Sequence, residues 1–179
     1  MKVLLAIAHG IDAINKQLGR LAAWAVLASC LVSAGNATVR YALDLSSNAW
    51  LEAQWYLFAV TVMFGAAHVL KVNEHVRVDV LYGRHSGRRK AMIDLFGMIF
   101  FLMPMAVLMA WMSWPWFMDS WLTGESSSNA GGLLRWPVKL TVPLGFAMLS
   151  LQGLSEIVKR VAFLRGDYAM DFQYERPLQ

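Results

Sequence analysis

Four long runs without a charged residue constrain the fold of this chain more than any other feature. They cover residues 21–39, 53–70, 95–118 and 140–155, and charged residues bound each of them. A helix that crosses the hydrocarbon core of a bilayer needs about 20 mainly apolar residues, with a range of about 17–25. The first three runs meet that length, and Trp136 and Lys139 extend the fourth because such side chains reach the interface. The sequence therefore predicts an all-α integral membrane protein with four transmembrane helices, at about residues 21–41, 51–72, 93–117 and 137–160.

The positions of the basic residues predict the orientation of these helices. Of the 16 lysines and arginines, only Arg40, Arg135 and Lys139 fall in the two connections on one side. Cytoplasmic segments of membrane proteins carry an excess of Lys and Arg, so both termini are predicted to be cytoplasmic. The net charge of +4 comes from residues at helix ends and indicates no nucleic-acid partner. All tryptophans except Trp24 fall at the predicted outer interface, where such rings prefer the headgroup level.

The first 20 residues are predicted to form a separate amphipathic helix. Leu4, Ile7, Ile11, Ile14 and Leu18 recur at steps of three and four, which places them on one helix face. Two interpretations remain open, namely an interfacial helix on the inner leaflet and a helix that packs against a partner. With a polar cytoplasmic tail over residues 165–179, the chain is predicted to be a single membrane domain over residues 1–179.

The predicted spans contain few polar groups, although polar groups at membrane depth usually mark function because they are costly there. Gln54 and His68 lie near the ends of the second span, and Gln152 and Glu156 lie towards the end of the fourth. No span has a central carboxylate or the matched histidine pair that a haem needs. The single Cys30 excludes an internal disulfide. The sequence therefore predicts no enzyme, and neither catalytic residues nor a cofactor or metal ion.

Small side chains recur every four residues along the first predicted span, at Ala25, Ser29, Ser33 and Ala37. Small residues let helix backbones approach each other closely in lipid. We therefore expect this strip, and Ser29 and Ser33 in particular, to face a partner helix.

Several residues at the predicted outer surface are candidates for a structural or partner-binding role. Asn36, Arg40 and Tyr41 close the first span, and Glu52 and Trp55 open the second. We expect an ion pair between Arg40 and Glu52 across the short turn, contributing about 0–1 kcal/mol if it is exposed. Simple capping and snorkelling are the alternative.

The outer connection between the third and fourth spans is rich in Gly and Ser and is predicted to be a loop. It is longer than packing requires, and long loops are often functional. Arg135 and Trp136, at its end, are candidates for contact with a partner outside the membrane.

The inner connection, residues 71–90, is the most basic segment of the chain. It contains "HVRVDV", whose alternation suits a strand, but an isolated strand would leave its backbone groups unpaired. His75 and Asp79 are spaced for metal ligation, but two ligands at a turn with Arg77 between them make a weak site. We expect His75, Arg77 and Asp79 to form hydrogen bonds and ion pairs within the turn or with a partner. The conformation of residues 73–82 is left open.

Three stretches of the sequence carry a resemblance to a known family. They are "NATVRYAL" at residues 36–43, "WLEAQWYLFAVTVMFGAAHVLKVNEHVRVDVLY" at 50–82 and "SSNAGGLLRWPVK" at 127–139. They resemble the small membrane (DctQ-type) subunit of tripartite ATP-independent periplasmic (TRAP) transporters. The size of the chain, its four predicted spans and its cytoplasmic termini are similar as well.

The resemblance implies a multi-pass protein of the bacterial inner membrane. Such a subunit scaffolds a large multi-spanning subunit and helps to dock a periplasmic substrate-binding protein, for sodium-coupled uptake of an organic acid. The sodium sites are expected in the large subunit, so no cofactor is expected here. The alternatives are a small transporter that works alone and an assembly or anchor protein without a role in transport.

Overall fold

The computed structural model describes residues 1–45, 47–73 and 85–170, and all regular structure in this part of the chain is helical. The elements are α1 (Lys2–Leu43), α2 (Asn48–Val72), α3 (Gly87–Gly97), a π-helical segment (Met98–Leu102), α4 (Met103–Thr123) and α5 (Trp136–Leu164). The third span, Gly87–Thr123, consists of α3, the π segment and α4. The four spans are long and apolar enough to cross a membrane, which confirms the predicted all-α fold with four membrane-spanning helices.

Successive spans run in opposite directions, so the bundle has two ends. We call the end with residues 44, 45, 47 and 124–135 the outer end, and the end where α1 begins and α5 ends the inner end, after the predicted orientation. The fourth span, α5, lies at the centre of the bundle and contacts all the other spans. In its most apolar stretch 44% of the residues are buried, against 11% in each of the other spans. The remaining apolar surface of the chain is therefore mostly exposed.

Glycines allow the closest approaches to α5. A Cβ atom on Gly145 would lie 2.7 Å from the Met63 Cβ of α2. A Cβ atom on Gly153 would lie 2.8 Å from the Met103 Sδ of α4. The Met63 backbone also lies within 2.9 Å of the Cβ position on Gly145, so residue 145 must be glycine for the observed packing. A larger residue at position 153 would instead require the Met103 and Leu102 side chains to shift.

Helix α1 extends far beyond the first predicted span. At a rise of about 1.5 Å per residue, its 42 residues are about 63 Å long, roughly twice the hydrocarbon core of a bilayer. Residues 2–20 are its first turns and continue into the span without a break. Ala8 and Asn15 of these turns are buried, and their contacts are with α5 of the same chain.

The third span contains a local irregularity just before Pro104. The backbone N–H of Met103 donates to the carbonyl of Met98, five residues back, so the helix widens by one residue there. Proline has no N–H to donate and its ring crowds the preceding turn, and a π turn accommodates both effects.

Candidate functional site

The inner end of the bundle contains a group of buried polar side chains. Helix α5 contributes Gln152, Ser155, Glu156, Lys159 and Arg160, all of them buried. Steps of three and four residues place Gln152, Ser155, Glu156 and Lys159 on one side of the helix. With Asp12 and Asn15 of α1 and Asp94 of α3 they form what we call the inner ion cluster.

Lys159 connects α1 to α5 within this cluster. Its Nζ lies 3.1 Å from Asp12 Oδ2 and also donates to Glu156. Asp12 Oδ1 accepts two further hydrogen bonds, from Gln152 Nε2 at 2.8 Å and from Ser155 Oγ at 2.9 Å. Asn15 Nδ2 donates to Gln152 Oε1 at 2.8 Å. The Asp12 carboxylate is thus compensated by one cation and two neutral donors, as a charge with little access to water requires.

Arg160 connects α3 to α5. Its Nε and Nη2 both lie 3.1 Å from Asp94 Oδ2, and its Nη1 donates to Glu156. Glu156 is therefore shared by Arg160 and Lys159. The result is a continuous chain of alternating charges, Asp12–Lys159–Glu156–Arg160–Asp94, that ties three of the four spans together at one level.

The inner ion cluster corrects the expectation that the spans collect almost no polar groups. Asp94 falls in the predicted span 93–117, and Glu156, Lys159 and Arg160 fall in the predicted span 137–160. Asp12 lies before the first predicted span, so no single predicted span contains the cluster. It forms because α1 continues inward past residue 20 and brings Asp12 beside α5. The spacing of Gln152, Ser155, Glu156 and Lys159 was a signal that these side chains share one face. Among the described residues no group of three or more histidine, cysteine or acidic side chains could hold a metal ion.

At the outer end, residues 125–135 form an ordered loop. The Ser127 N–H donates to the Leu133 carbonyl at 2.9 Å, and the Arg135 N–H donates to the Glu125 carbonyl at 2.8 Å. These bonds pair the two sides of the loop in an antiparallel manner, with a β-bridge between residues 126 and 134. The prediction of a loop is thus correct, but the loop has a defined hairpin-like shape.

The first turns of α2 hold this loop. The buried Glu52 carboxylate accepts hydrogen bonds from Ser127 Oγ, from Asn129 Nδ2 at 3.0 Å and from the Leu133 N–H at 2.7 Å. Asn48 Nδ2 donates to the Ala130 carbonyl at 2.9 Å, and Tyr56 Oη donates to the Leu134 carbonyl at 2.7 Å. We call Asn48, Glu52, Tyr56 and residues 125–135 the outer loop clamp.

A glycine makes the close approach to Glu52 possible. A Cβ atom on Gly132 would lie 2.4 Å from the Ser127 Cβ and 3.0 Å from Glu52 Oε1. Any larger residue would push the loop away from the carboxylate.

The predicted ion pair between Arg40 and Glu52 is wrong. The Glu52 side chain points from α2 towards the loop. The side chains of Leu51 and Gln54 lie on the side of α2 that faces Arg40, where they line a different cavity. In the described part of the chain, Arg40 makes neither a hydrogen bond nor an ion pair. Three loop donors, one of them a backbone N–H, satisfy the carboxylate more completely than one exposed guanidinium would.

The cavity beside Arg40 is an open groove between the outer ends of α1 and α2. Its volume is about 440 Å³. We call it the outer groove, and it is lined by Ser33, Asn36, Ala37, Arg40, Tyr41, Asp44, Leu51 and Gln54. Four residues predicted to have an interface or structural role, Ser33, Asn36, Arg40 and Tyr41, are thus brought together here.

The start of α5 is joined to the outer loop by an ion pair. Lys139 pairs with Glu125, and its Nζ lies 4.6 Å above the ring of Trp116. The hydrogen bond from Lys139 holds the pKa of the Glu125 carboxyl below its ordinary value of 4.5. The neighbouring Trp136 packs edge-to-face on Trp121, with the ring centroids 4.4 Å apart. Loop and helix therefore meet through charge and aromatic contacts together.

Residues 17–163 match the family model described as the DctQ component of tripartite ATP-independent periplasmic transporters. The match covers most of the chain. The chain belongs to the DctQ family. Comparisons with curated proteins and with solved structures gave no match. DctQ proteins are transporter components and not a family of enzymes, and the four apolar spans agree with a multi-pass protein of the inner membrane.

The matched region of this DctQ protein contains the outer loop clamp, the outer groove and every member of the inner ion cluster on α3 and α5. Asp12 and Asn15 lie before it. The contact that fixes the start of α1 to α5 is therefore a feature that the family match does not cover.

The remaining candidate residues of the DctQ chain are dispersed. Along the small-residue strip, Ala25 is buried, Ser29 is half-buried and Ser33 is exposed, so the strip turns from the bundle interior to its surface. Trp55 is 67% exposed. The Arg135 N–H closes the loop. His75, Arg77 and Asp79 lie outside the described residues.

Proposed function

We propose that this DctQ protein is a scaffold for the large subunit of a TRAP-type secondary transporter and helps to dock the periplasmic binding protein. The transport it serves is sodium-coupled uptake of an organic acid, with the sodium and substrate sites in the large subunit. The observation that carries this proposal is the use of buried charge in the described residues. At the inner end buried charges pair with each other across three helices, which suits a rigid brace better than a site for a ligand.

The exposed surface of the bundle supports the same proposal. Within its membrane-spanning part, α4 exposes large apolar side chains, among them Met105, Leu108, Trp111 and Met112. Such a surface fits lipid or the apolar flank of a larger membrane protein. A stiff bundle with an apolar exterior can hold the fixed part of a moving partner in place.

The orientation of the subunit belongs to the proposal as well. The positive-inside rule places the inner ion cluster at the cytoplasmic boundary and the outer loop clamp in the periplasm. The loop then presents the exposed Ser126, Ser128 and Asn129 to a periplasmic partner. At the inner end, the exposed Val3, Leu4, Ile7 and Ile14 support a position of residues 1–20 against the inner leaflet.

Deletion of this chain in cells that keep the other two components tests the scaffold role. We expect uptake to be lost, because the large subunit then lacks its brace. Uptake that continues without the chain would support an assembly or anchor protein instead. Transport or substrate binding by the purified chain alone in liposomes would support a small transporter that works alone.

Co-purification of the large subunit tests which surface is the interface. Leucine at both Ser29 and Ser33 should weaken co-purification, because larger side chains prevent close helix approach. Ala34→Leu is a matched control, since Ala34 is exposed on the same helix but outside the strip. Equal co-purification of both variants would show that the strip does not contact the large subunit.

For the inner connection, Arg77→Ala and Asp79→Ala should reduce assembly of the transporter before any change in substrate affinity.

A further inference from the structure

The outer groove is a site of its own, separate from the outer loop clamp. Its volume of about 440 Å³ lies within the range of small-ligand sites, about 300–1,000 Å³. Most of its lining is polar, and only Ala37 and Leu51 contribute purely apolar side chains. A lipid tail or an apolar helix alone would leave these polar groups without partners, so the occupant must itself be polar.

Two opposite charges line the groove and remain available to a ligand. Arg40 lies in the last turn of α1, and Asp44, one turn later, is the left-handed residue that ends the helix, with φ 54°. Among the described residues neither side chain makes a hydrogen bond or an ion pair, with each other or with another group. A complementary occupant therefore carries an anionic group for Arg40 and a cationic group for Asp44.

The position of the groove relative to the membrane indicates which kind of ligand it binds. Arg40 ends the charge-free run of residues 21–39, so the groove lies where hydrocarbon gives way to headgroups. A guanidinium binds phosphate through two parallel hydrogen bonds, and the side-chain amides of Asn36 and Gln54 offer further donors in the same groove. Ser33 and Ala37 are small and exposed, which leaves space along α1 for an acyl chain below the headgroup.

We propose that the outer groove binds the headgroup of a zwitterionic phospholipid with a primary ammonium group. The phosphate contacts Arg40, and the ammonium lies beside Asp44. The proposal goes beyond the scaffold function, because it assigns a lipid to the corner between α1 and α2 whatever the protein partners are.

Lipid retention by the full chain tests this assignment. The protein is purified in detergent, and phosphatidylethanolamine and phosphatidylglycerol are titrated while bound lipid is measured by native mass spectrometry. We expect the wild-type protein to prefer phosphatidylethanolamine. Arg40→Gln should weaken binding of both lipids at least about tenfold, a factor that corresponds to about 1.4 kcal/mol. Asp44→Asn should abolish the preference, because it weakens binding of phosphatidylethanolamine.

Two variants serve as matched controls. Arg20→Gln removes an exposed arginine near the middle of α1, outside the groove, and Asp119→Asn removes an exposed aspartate outside the groove. Neither should change lipid binding, and an equal loss with Arg20→Gln would show non-specific attraction and overturn the proposal. Wild-type lipid binding by Arg40→Gln would also overturn it. If that variant keeps its lipids but loses the large subunit from the purified complex, the groove is a protein interface instead. The lipid measurement uses this chain alone, so its failure leaves the scaffold function untouched.

Discussion

Lys159→Met tests the inner ion cluster most directly. Methionine keeps an unbranched apolar stem of similar length, so the substitution removes the charge with little change in packing. In the wild-type protein the Lys159 side chain is 8% exposed, and its two partners, Asp12 and Glu156, are 13% and 4% exposed. The variant would leave two carboxylates close together with little access to water.

The loss of stability depends on which hydrogen bonds and ion pairs the Asp12 and Glu156 carboxylates retain in the variant. Removing one partner of a buried ion pair costs about 3–5 kcal/mol. Asp12 keeps its bonds from Gln152 and Ser155, and Glu156 keeps Arg160, so we expect the lower end of this range. For a chain of this size, about 3 kcal/mol corresponds to a fall in Tm of about 6–12 °C.

Thermal unfolding in detergent, followed by tryptophan fluorescence, measures this fall. Lys139→Met is the matched control, because it removes a second lysine of α5. Its partner Glu125 is 34% exposed, so water screens the loss and the destabilisation should be smaller. Lys159→Met combined with Asp12→Leu should recover part of the stability. Ser155 then still donates to the Ala8 carbonyl, and Gln152 still donates to Glu156.

Two results would refute the reasoning. The first is a Lys159→Met variant that is no less stable than Lys139→Met, since burial would then not govern the cost. The second is a double variant whose loss equals the sum of the two single losses. Residues in one ion-pair network should instead couple by about 0.5–3 kcal/mol.

Three further predictions concern the outer end and the packing of the bundle. Glu52→Gln leaves one acceptor oxygen for three loop donors, so the Leu133 amide should exchange hydrogen severalfold faster; unchanged exchange would show that the loop maintains its own shape. Gly145→Ala should lower the free energy of unfolding by about 1–3 kcal/mol through overpacking, whereas Gly10→Ala, with nothing within 4 Å, should not; equal values would contradict the close contact. The lowered pKa of Glu125 means that its ion pair stabilises the fold above about pH 4.5 and that this contribution is lost as the pH falls through the folded-state pKa. Glu125→Gln should therefore be less stable than wild type at neutral pH and equal to it below that pKa, and a constant difference would contradict the assignment.

Local features of this protein could be predicted from its sequence, whereas contacts between distant segments could not. The four spans could be predicted because each depends only on the composition of one continuous stretch. The loop at 125–135 was visible in its Gly and Ser content. The hydrogen bonds between this loop and α2 could not be predicted, because Glu52 and Leu133 lie 81 positions apart in the chain. The sequence placed Glu52 at a helix start, and Arg40 was the partner predicted for it.

The sequence by itself determined the class of the protein, the number of its spans and the family to which it belongs. Only the tertiary structure decided which polar groups meet. Asp12 and Lys159 are 147 positions apart, and they pair because α1 continues inward without a break and lies against α5 at the right register. A hydrophobic run reports how a segment partitions between water and lipid, which is a property of that segment alone. The partner of a buried charge depends on which helices are neighbours and how they are aligned, and no local pattern contains that information.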